Sequence, residues 1–228
     1  MTTLMIDAGP VSPDAPVTRT GGIPLAPPGT EWPCCSSCAG PMQFLAQVVL
    51  DGVGGIAREG TEAEETQEMG AGRGILALFA CQNDPGMCDD WDPGSGGNRA
   101  LLFPPAGLRP LPPPPLGEDV DEGVVTLSTV RSITLEPGKE ADYGRARDAW
   151  AETSGRPKAD VLGQLGGVPA WLQGDETPSC PSCDRRLPLI VQLEEGPAHS
   201  TSMNFGGGGS AYAFACEPCT HAVFLWQC

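Results

Sequence analysis

Short runs of alternating apolar and polar residues dominate this chain and predict β-strands. Residues 41–50 carry apolar side chains at every second position, with Gln43 and Gln47 between them, which indicates a half-buried strand. Residues 142–153 favour a helix, and their first residue, an aspartate, suits an N-cap. Three further runs favour strands because they are apolar or rich in β-branched residues, at 74–81, 99–103 and 123–136. The pattern therefore predicts a mainly β fold with a few short helices.

The composition also predicts many turns. The chain has 31 glycines and 25 prolines, a content that favours short strands joined by turns. Residues 1–20 contain three prolines and little to bury, which predicts a flexible N-terminal arm. Residues 104–122 are rich in proline and then acidic. We interpret them as a stiff linker, with a ligand for SH3-type domains as the alternative.

The second half of the chain repeats the first. When 145 is added to each residue number, residues 21–48 align without gaps with 166–193 and are identical at ten positions. A Phe-Ala-Cys triplet recurs further on, at 79–81 and 214–216, where the offset falls to 135. The first copy therefore carries about ten extra residues, where the acidic segment 51–73 lies.

This alignment predicts an internally duplicated β-sheet fold. The first repeat unit covers residues 21–103. After the linker, residues 123–228 supply a long strand, a helix and the second repeat unit. We expect either two small domains or two halves packed as one domain.

Four cysteines of the second repeat have the spacing of a metal site. Cys180 pairs with Cys183 and Cys216 with Cys219, each as Cys-x-x-Cys, and strand-like runs lie between the pairs. Such a pair directs two thiolates to one side of a tight turn. Two pairs then close a tetrahedral, structural Zn²⁺ site with no open position. Unmetallated thiols packed in a small core and disulfides are the alternatives.

The alignment also selects the ligands of the first repeat. It pairs Cys35, rather than Cys34, with Cys38. It makes Cys81 and Cys88 the second pair, with four extra residues between them. These positions predict a second structural zinc. The two cysteines left over in the chain are interpreted as ordinary thiols.

Acidic residues far outnumber basic ones, and the formal net charge is −16. The carboxylates cluster at 58–68, 84–92 and 118–122, in predicted loops. This charge disfavours binding to the nucleic-acid backbone. The clusters are typical of solvated loops, or of a surface that attracts a basic partner protein.

Apolar runs long enough to cross a membrane do not occur in the sequence. The N-terminal residues also lack the features of a signal peptide. We therefore expect no membrane association and a cytoplasmic location. In that compartment, cysteines are more often metal ligands than disulfides.

Polar residues outside the cysteine pairs give little support to catalysis. The chain has two histidines and no phosphate-binding loop or nucleophile motif. His221 follows the last cysteine pair and is either a substitute ligand or an exposed strand residue. Gln47 and Gln192 occupy equivalent positions in the two repeats. They either satisfy backbone groups across a sheet or, with Trp171 and Gln173, line a surface between the repeats. No catalytic residue is predicted.

Segments 21–47 and 165–183 resemble the bacterial YwqG-like domain family and, more distantly, the eukaryotic programmed-cell-death-2 proteins. The shared features are Gly-Gly-x-Pro-x-Trp, Cys-x-x-Cys, a strand ending in glutamine and a later Phe-x-Cys-x-x-Cys, and they extend over roughly residues 20–228. The resemblance implies a duplicated, mainly β scaffold. For the eukaryotic relatives it implies a dedicated chaperone that escorts a ribosomal protein. It transfers the cysteine pairs and the glutamine positions to this chain, and no catalytic residue.

Three hypotheses for function follow. The first is a zinc-stabilised, cytosolic protein-binding module, chaperone-like for a basic client protein. The second is an immunity or regulatory protein that neutralises a basic toxin. The third is an enzyme with a cleft between the two repeats, which would need a deep polar pocket or a metal with an open coordination position.

Overall fold

Most strands of this protein join a single ten-stranded antiparallel sheet. The computed structural model describes residues 2–52, 72–84, 86–115, 130–197 and 203–228. The strands are β1 (Thr3–Pro10), β2 (Arg19–Thr20), β3 (Leu25–Ala26), β4 (Gln43–Val49), β5 (Ile75–Ala80), β6 (Asn98–Phe103), β7 (Arg109–Pro110), β8 (Arg131–Pro137), β9 (Val161–Leu165), β10 (Leu189–Glu194), β11 (Ser210–Cys216) and β12 (His221–Gln227). Helix α1 spans Tyr143–Ser154, and short 3-10 turns lie at Leu50–Gly52, Lys158–Asp160 and Glu217–Cys219. The prediction of a mainly β fold is confirmed.

The order of the strands brings the two ends of the sheet together. Across the sheet the order is β12-β11-β10-β9-β1-β8-β2-β4-β5-β6, while β3 and β7 form a separate pair. The edge strands β6 and β12 contact each other, so the sheet curls into a nearly closed cylinder. We call this junction of β6 and β12 the seam. Among the described residues, no helix is both long and apolar enough to span a bilayer.

Strand β1 corrects the prediction of a flexible N-terminal arm. Thr3–Pro10 lies near the middle of the sheet and pairs with both β8 and β9. Its residues Leu4, Met5 and Ile6 are at most 1% exposed. The three prolines that suggested an arm begin only where the strand ends, and the short apolar run before them supplies a central strand.

The inner face of the cylinder holds the main core, with side chains from both halves of the chain. Met5, Leu45, Leu76, Ile190 and Phe224 all belong to this cluster. The two predicted repeat units therefore pack around one core, because a curled sheet buries the same inner face along its whole width.

Strand β4 is buried on both faces, so the prediction of a half-buried strand is wrong. A bulge between Phe44 and Ala46 shifts its register against β5. Met42 and Phe44 consequently pack in an outer cluster, whereas Leu45, Ala46, Val48 and Leu50 pack in the inner core. An irregularity of this kind reverses the alternation of faces and cannot be read from a strict period of two.

Helix α1 confirms the predicted helix and covers the outer face of β1 and β9. The Asp142 side chain accepts a hydrogen bond from the Arg145 backbone N–H at 2.9 Å, which caps the first turn. Gly155 ends the helix with φ of 68°, a left-handed conformation that favours glycine. Tyr143 and Ala146 pack against Leu4 and other apolar residues of the sheet.

Part of the predicted linker belongs to the first half instead. Residues 105–107 form a turn, and Arg109–Pro110 after it pairs with Leu25–Ala26. The Leu111 N–H also donates to the Pro24 carbonyl at 2.8 Å. Residues 116–129, which include the acidic end of the linker and the start of the predicted strand 123–136, lie outside the described residues, as do 53–71 and His199.

Candidate metal centres

Cysteine thiols meet in two groups of four, and the groups are those that the sequence predicted. Within each group the four Sγ atoms lie within 4.8 Å of one another. We call them the first centre (Cys35, Cys38, Cys81 and Cys88) and the second centre (Cys180, Cys183, Cys216 and Cys219). Cys34 and Cys228 lie outside both groups and are exposed.

The spacing of the sulfur atoms suits a tetrahedral metal ion. Cys38 and Cys81 have their Sγ atoms 3.7 Å apart, and Cys183 and Cys216 have theirs 3.9 Å apart. A tetrahedral ion with metal–sulfur bonds of about 2.3 Å places its sulfurs about 3.8 Å apart. A disulfide needs about 2.05 Å, and all ten cysteines are free thiols. Either group could therefore hold a metal ion.

A tight turn positions the first two thiols of each centre. The Cys35 N–H donates to the Gly40 carbonyl at 2.9 Å, and the Cys180 N–H donates to the Arg185 carbonyl at 2.8 Å. Ala39 and Asp184 both have φ of 59°. Every one of these positions recurs at an offset of 145, so the two turns have the same backbone construction.

The other two thiols of each centre follow a buried strand. Cys81 comes directly after β5, and Cys216 is the last residue of β11. In the second centre a 3-10 turn, Glu217–Cys219, brings the fourth thiol back. In the first centre the return to Cys88 is longer, and two backbone bonds hold that loop. The Cys81 N–H donates to the Gly97 carbonyl at 2.8 Å, and the Ser36 N–H donates to the Gly96 carbonyl at 3.0 Å.

Polar side chains next to the thiols donate hydrogen bonds to sulfur. Asn83 Nδ2 lies 3.4 Å from Cys38 Sγ and 3.5 Å from Cys81 Sγ. The same amide donates to the Pro41 carbonyl at 3.1 Å, which fixes its orientation. In the second centre, Arg185 Nε donates to Cys183 Sγ at 3.4 Å. Donors of this kind stabilise thiolates and orient metal ligands.

These contacts make one thiol in each centre unusually acidic. The hydrogen bond from Arg185 lowers the pKa of Cys183 to about 6. Burial opposes ionisation of Cys38, yet hydrogen bonds from Asn83 and from the backbone at Gly40 lower its pKa to about 7. Two such thiols ionise readily at neutral pH, as metal ligands must.

Three other thiols of the two centres, Cys81, Cys88 and Cys219, ionise less easily than free cysteine. Burial raises the pKa of Cys88 to about 11 and also raises the pKa of Cys81. The hydrogen bond with Cys216 raises the pKa of Cys219 to about 12. Four crowded sulfurs cannot all carry charge without a cation between them, and a divalent ion would remove this repulsion. The donor set therefore fits a thiophilic metal ion.

An aromatic ring covers the outer face of the sheet beside each centre. Trp32 packs edge-on to Phe79, with ring centroids 5.5 Å apart. Trp171 stacks on Phe214 at 5.9 Å and tilts against Tyr212 at 4.4 Å. Phe79 and Phe214 are equivalent at the offset of 135. Trp171 therefore packs inside its own half and does not line a surface between the repeats.

Gln47 and Gln192 also form their hydrogen bonds within their own halves of the chain. Gln47 and Gln192 are at most 1% exposed. Gln47 Oε1 accepts from the Leu25 N–H at 3.0 Å, and Gln192 Oε1 accepts from the Ala170 N–H at 2.9 Å. The prediction that they line an inter-repeat surface is wrong, and the alternative, that they satisfy backbone groups, is what the structure contains. Gln173 is exposed and donates to the Cys228 carbonyl at 2.7 Å.

Arg19 is a buried residue that the sequence analysis missed. Its side chain is 0% exposed, and burial lowers its pKa to about 10. Its Nε donates to the Ala15 carbonyl at 3.0 Å, and its other nitrogens donate to the carbonyls of Gly21 and Ile23. At the offset of 145, Gln164 Nε2 donates to the Val168 carbonyl at 3.0 Å. The only sign of this role in the sequence is a polar residue two positions before each Gly-Gly pair. It was overlooked because residues 1–20 were interpreted as a flexible arm.

A cavity of about 180 Å³ lies in the second half, next to α1. Arg147 and Glu194 line it, 3.3 Å apart as an ion pair. The rest of its wall comes from Ala159, Glu195, Gly196, Gly208 and Gly209. All these residues belong to one half, so this cavity is not the cleft between repeats that the enzyme hypothesis requires.

Comparison with known proteins places the chain in a family. Residues 18–218 match the family model described as "Domain of unknown function (DUF1963)". The chain belongs to the DUF1963 family. DUF1963 is the YwqG-like family, so that part of the predicted resemblance is confirmed. The match contains all the cysteines of both centres except Cys219, which lies one residue beyond its end.

One curated protein that is similar to part of this chain is the uncharacterized protein YpfL of Salmonella typhimurium strain LT2. The two are 30% identical over 67 residues, which are 29% of this chain and 15% of that protein. The aligned stretch is thus a small part of the relative. Neither the DUF1963 description nor this relative's name assigns an activity.

Proposed function

We propose that this protein is a zinc-stabilised, cytosolic protein-binding module, chaperone-like for a basic client. The observation that carries the proposal is that each centre already offers four thiols to a tetrahedral ion. A metal held by four thiolates has no position left for a substrate, so these centres suit structure rather than catalysis.

Zinc is the metal that this chemistry favours. Tetrahedral sites made of four sulfurs select zinc or iron, and zinc needs no redox partner or assembly of a cluster. When bound, each ion would hold two thiols of a turn beside two thiols that follow a strand. Cys35, Cys38, Cys81 and Cys88 would hold one ion, and Cys180, Cys183, Cys216 and Cys219 the other.

We also propose that the two centres descend from one duplicated unit. The strand series β2-β4-β5-β6 and β9-β10-β11-β12 run outward in the same order from the middle of the sheet. The Gly21 N–H donates to the Leu45 carbonyl, and the Gly166 N–H donates to the Ile190 carbonyl, both at 2.8 Å. Bridges Cys34–Pro41 and Ser179–Arg186 also differ by 145. A constant offset in so many backbone contacts supports duplication.

The charge of the chain supports a basic client. The formal net charge is −16, and two zinc–tetrathiolate groups at −2 each would bring it to about −20. A surface of one sign attracts partners of the other and repels nucleic acid. The resemblance to programmed-cell-death-2 proteins adds the chaperone-like role.

Metal analysis of protein purified without chelator tests the first part of this proposal. We expect about two zinc ions per chain, and less than about half an ion per chain would overturn it. The binding role is tested by cross-linking in native lysate, followed by identification of the partner. Recovery of a basic protein supports the proposal. Recovery of no protein, together with turnover of a small molecule, would replace it with the enzyme hypothesis.

A further inference from the structure

The loop between Cys81 and Asn98 exposes two large apolar side chains. Met87 is 72% exposed and Trp91 is 47% exposed. They lie four residues apart, in the loop that returns to the first centre through Cys88. Single exposed apolar residues are common on protein surfaces, but an exposed methionine and tryptophan on one short loop are typical of a binding surface.

This loop is residues 82–97, of which Pro85 lies outside the described residues, and hydrogen bonds fix its backbone from Asp89 onward. Asn98 Nδ2 donates to the Asp90 carbonyl at 2.9 Å and to the Asp92 carbonyl at 3.0 Å. Ser95 Oγ donates to the Asp89 carbonyl at 2.6 Å. Cys88 belongs to the first centre and is 4% exposed. A surface that is already ordered loses little conformational entropy when it binds a partner.

The charged residues within loop 82–97 are all acidic. Asp84 and Asp89 are exposed and Asp92 is partly exposed. No lysine or arginine occurs between positions 82 and 97. A metal-loaded first centre directly beside the loop would add further negative charge. Electrostatic complementarity therefore calls for a positive partner.

We propose that loop 82–97 is the docking surface for a lysine- or arginine-rich segment of a partner protein that also carries an apolar anchor residue. This inference rests on the proposed protein-binding function and assigns it a surface. The apolar anchor packs on Met87 and Trp91, while the basic side chains of the segment face Asp84, Asp89 and Asp92. A nucleic acid lacks the positive charge, and a purely apolar segment leaves the carboxylates without partners.

A second exposed apolar pair supplies a matched control. Val168 is 79% exposed and Leu172 is 49% exposed. They lie in the stretch 166–174, which has no charged residue. A partner that recognised apolar surface alone would bind this pair as well as loop 82–97.

Binding of three synthetic 16-residue peptides to the full-length, zinc-loaded protein tests the proposal. The first peptide is lysine-rich with a central leucine and tryptophan, the second is equally basic with alanine in their place, and the third keeps the anchors but is neutral. By fluorescence anisotropy at low salt, we expect the first peptide to bind at least 10-fold more tightly than either of the others. Its affinity should fall steeply between 0.1 M and 1 M salt, where the screening length shrinks from about 10 Å to about 3 Å.

Paired variants locate the binding surface. M87S/W91S and D84N/D89N should each weaken the first peptide about 10-fold or more, whereas V168S/L172S should leave its affinity unchanged. Asparagine tolerates the left-handed backbone of Asp89, where φ is 46°. Zinc content and melting temperature show whether each variant is folded, and D84N/D89N keeps the test usable if the apolar pair contributes to folding.

The outcomes separate this inference from the proposed function. Equal affinity of wild type and M87S/W91S, or a loss only in V168S/L172S, overturns the assignment of loop 82–97 and leaves protein binding intact. Equal affinity of all three peptides for the wild type also overturns the assignment. The protein-binding part of the proposed function is tested separately, by cross-linking in native lysate, where recovery of no protein together with turnover of a small molecule overturns it.

Discussion

Trp226 Nε1 donates a hydrogen bond to Asp90 Oδ2 at 3.2 Å, and this contact crosses the seam between the two ends of the sheet. Asp90 lies two residues after Cys88 of the first centre and is 4% exposed. At the other end of the seam, Arg73 Nε of the first half donates to Glu217 Oε2 at 3.2 Å. Glu217 lies between Cys216 and Cys219. Each centre therefore has, close to its last two cysteines in sequence, an acidic residue that contacts the opposite half.

This arrangement predicts that Trp226→Phe destabilises the fold. The phenyl ring keeps the apolar contact, but the Asp90 carboxylate loses a donor in a buried place, which costs about 1–3 kcal/mol. Trp150→Phe is the matched control, because Trp150 Nε1 also donates to a carboxylate, that of Glu136, at 2.9 Å, in a more exposed place. Urea unfolding compares the two variants. A loss in Trp226→Phe no larger than in Trp150→Phe would contradict a closing role for the seam contact.

Two neighbouring cysteines give a sharp test of the first centre. Cys35 is 2% exposed and lies in the centre, whereas Cys34 is exposed and its thiol faces the Trp32 carbonyl at 3.8 Å. Cys35→Ser should lose one zinc per chain and most of its cooperative unfolding, since binding at a structural site contributes on the order of 10 kcal/mol. Cys34→Ser should keep both ions. Zinc analysis and circular dichroism measure these effects.

The second centre should behave in the same way. Cys183→Ser is expected to remove the other zinc ion and to unfold the second half. Because both halves share the inner core, we expect this loss to reduce the melting temperature of the whole chain. An unchanged melting curve of Cys183→Ser, with one zinc lost, would show that the metal adds nothing to stability.

The side chains that donate hydrogen bonds to sulfur should strengthen the metal affinity of their own centre only. Asn83→Leu removes the donor shared by Cys38 and Cys81 while preserving the size of the side chain. Loss of an outer hydrogen bond typically weakens metal affinity 10- to 100-fold. Competition with a chelator should show that Asn83→Leu binds the ion of the first centre more weakly. Arg185→Met should weaken binding at the second centre alone. Equal release from both centres in either variant would refute this assignment.

The grouping of the eight cysteines was predictable because a Cys-x-x-Cys turn is a local feature and a gapless alignment transfers it between repeats. Helix α1 was predictable from a local feature as well, the N-cap residue Asp142. The seam was not. Asp90 reads as a member of a solvated acidic loop, and its burial depends on Trp226, which is 136 residues away. Strand β1 was missed because its partners are also remote, at 131–137 and 161–165.

Tyr212 predicts a change of stability at alkaline pH. Burial raises its pKa to about 12, and the nearby Glu194 carboxylate adds to the effect, whereas an unfolded tyrosine titrates near 10. A raised folded-state pKa stabilises the fold fully below pH 10, and this contribution is lost as the pH rises through the folded value. Each pKa unit corresponds to about 1.4 kcal/mol.

Tyr212→Phe lacks this ionisation but also loses the hydrogen bond from the hydroxyl to the Ala170 carbonyl, which measures 2.8 Å. The wild type should therefore be the more stable protein at pH 8, and its advantage should shrink between pH 10 and 12. Urea unfolding at several pH values measures the difference. A constant advantage over this range would contradict the inferred burial of the phenol.

Arg19 gives a prediction that depends on the duplication. Its guanidinium donates hydrogen bonds to three carbonyls, and the Gln164 amide donates to one of the equivalent carbonyls in the second half. Arg19→Met should leave those carbonyls without donors and destabilise the fold by about 3 kcal/mol or more, since each buried unsatisfied group costs about 1–3 kcal/mol. Arg19→Gln should recover part of this loss, because its amide can reach the Ile23 carbonyl as Gln164 reaches that of Val168. Gln164→Met supplies the corresponding change in the other half. If Arg19→Gln were as unstable as Arg19→Met in urea unfolding, the two positions would not be functionally equivalent, and the duplication would lose this support.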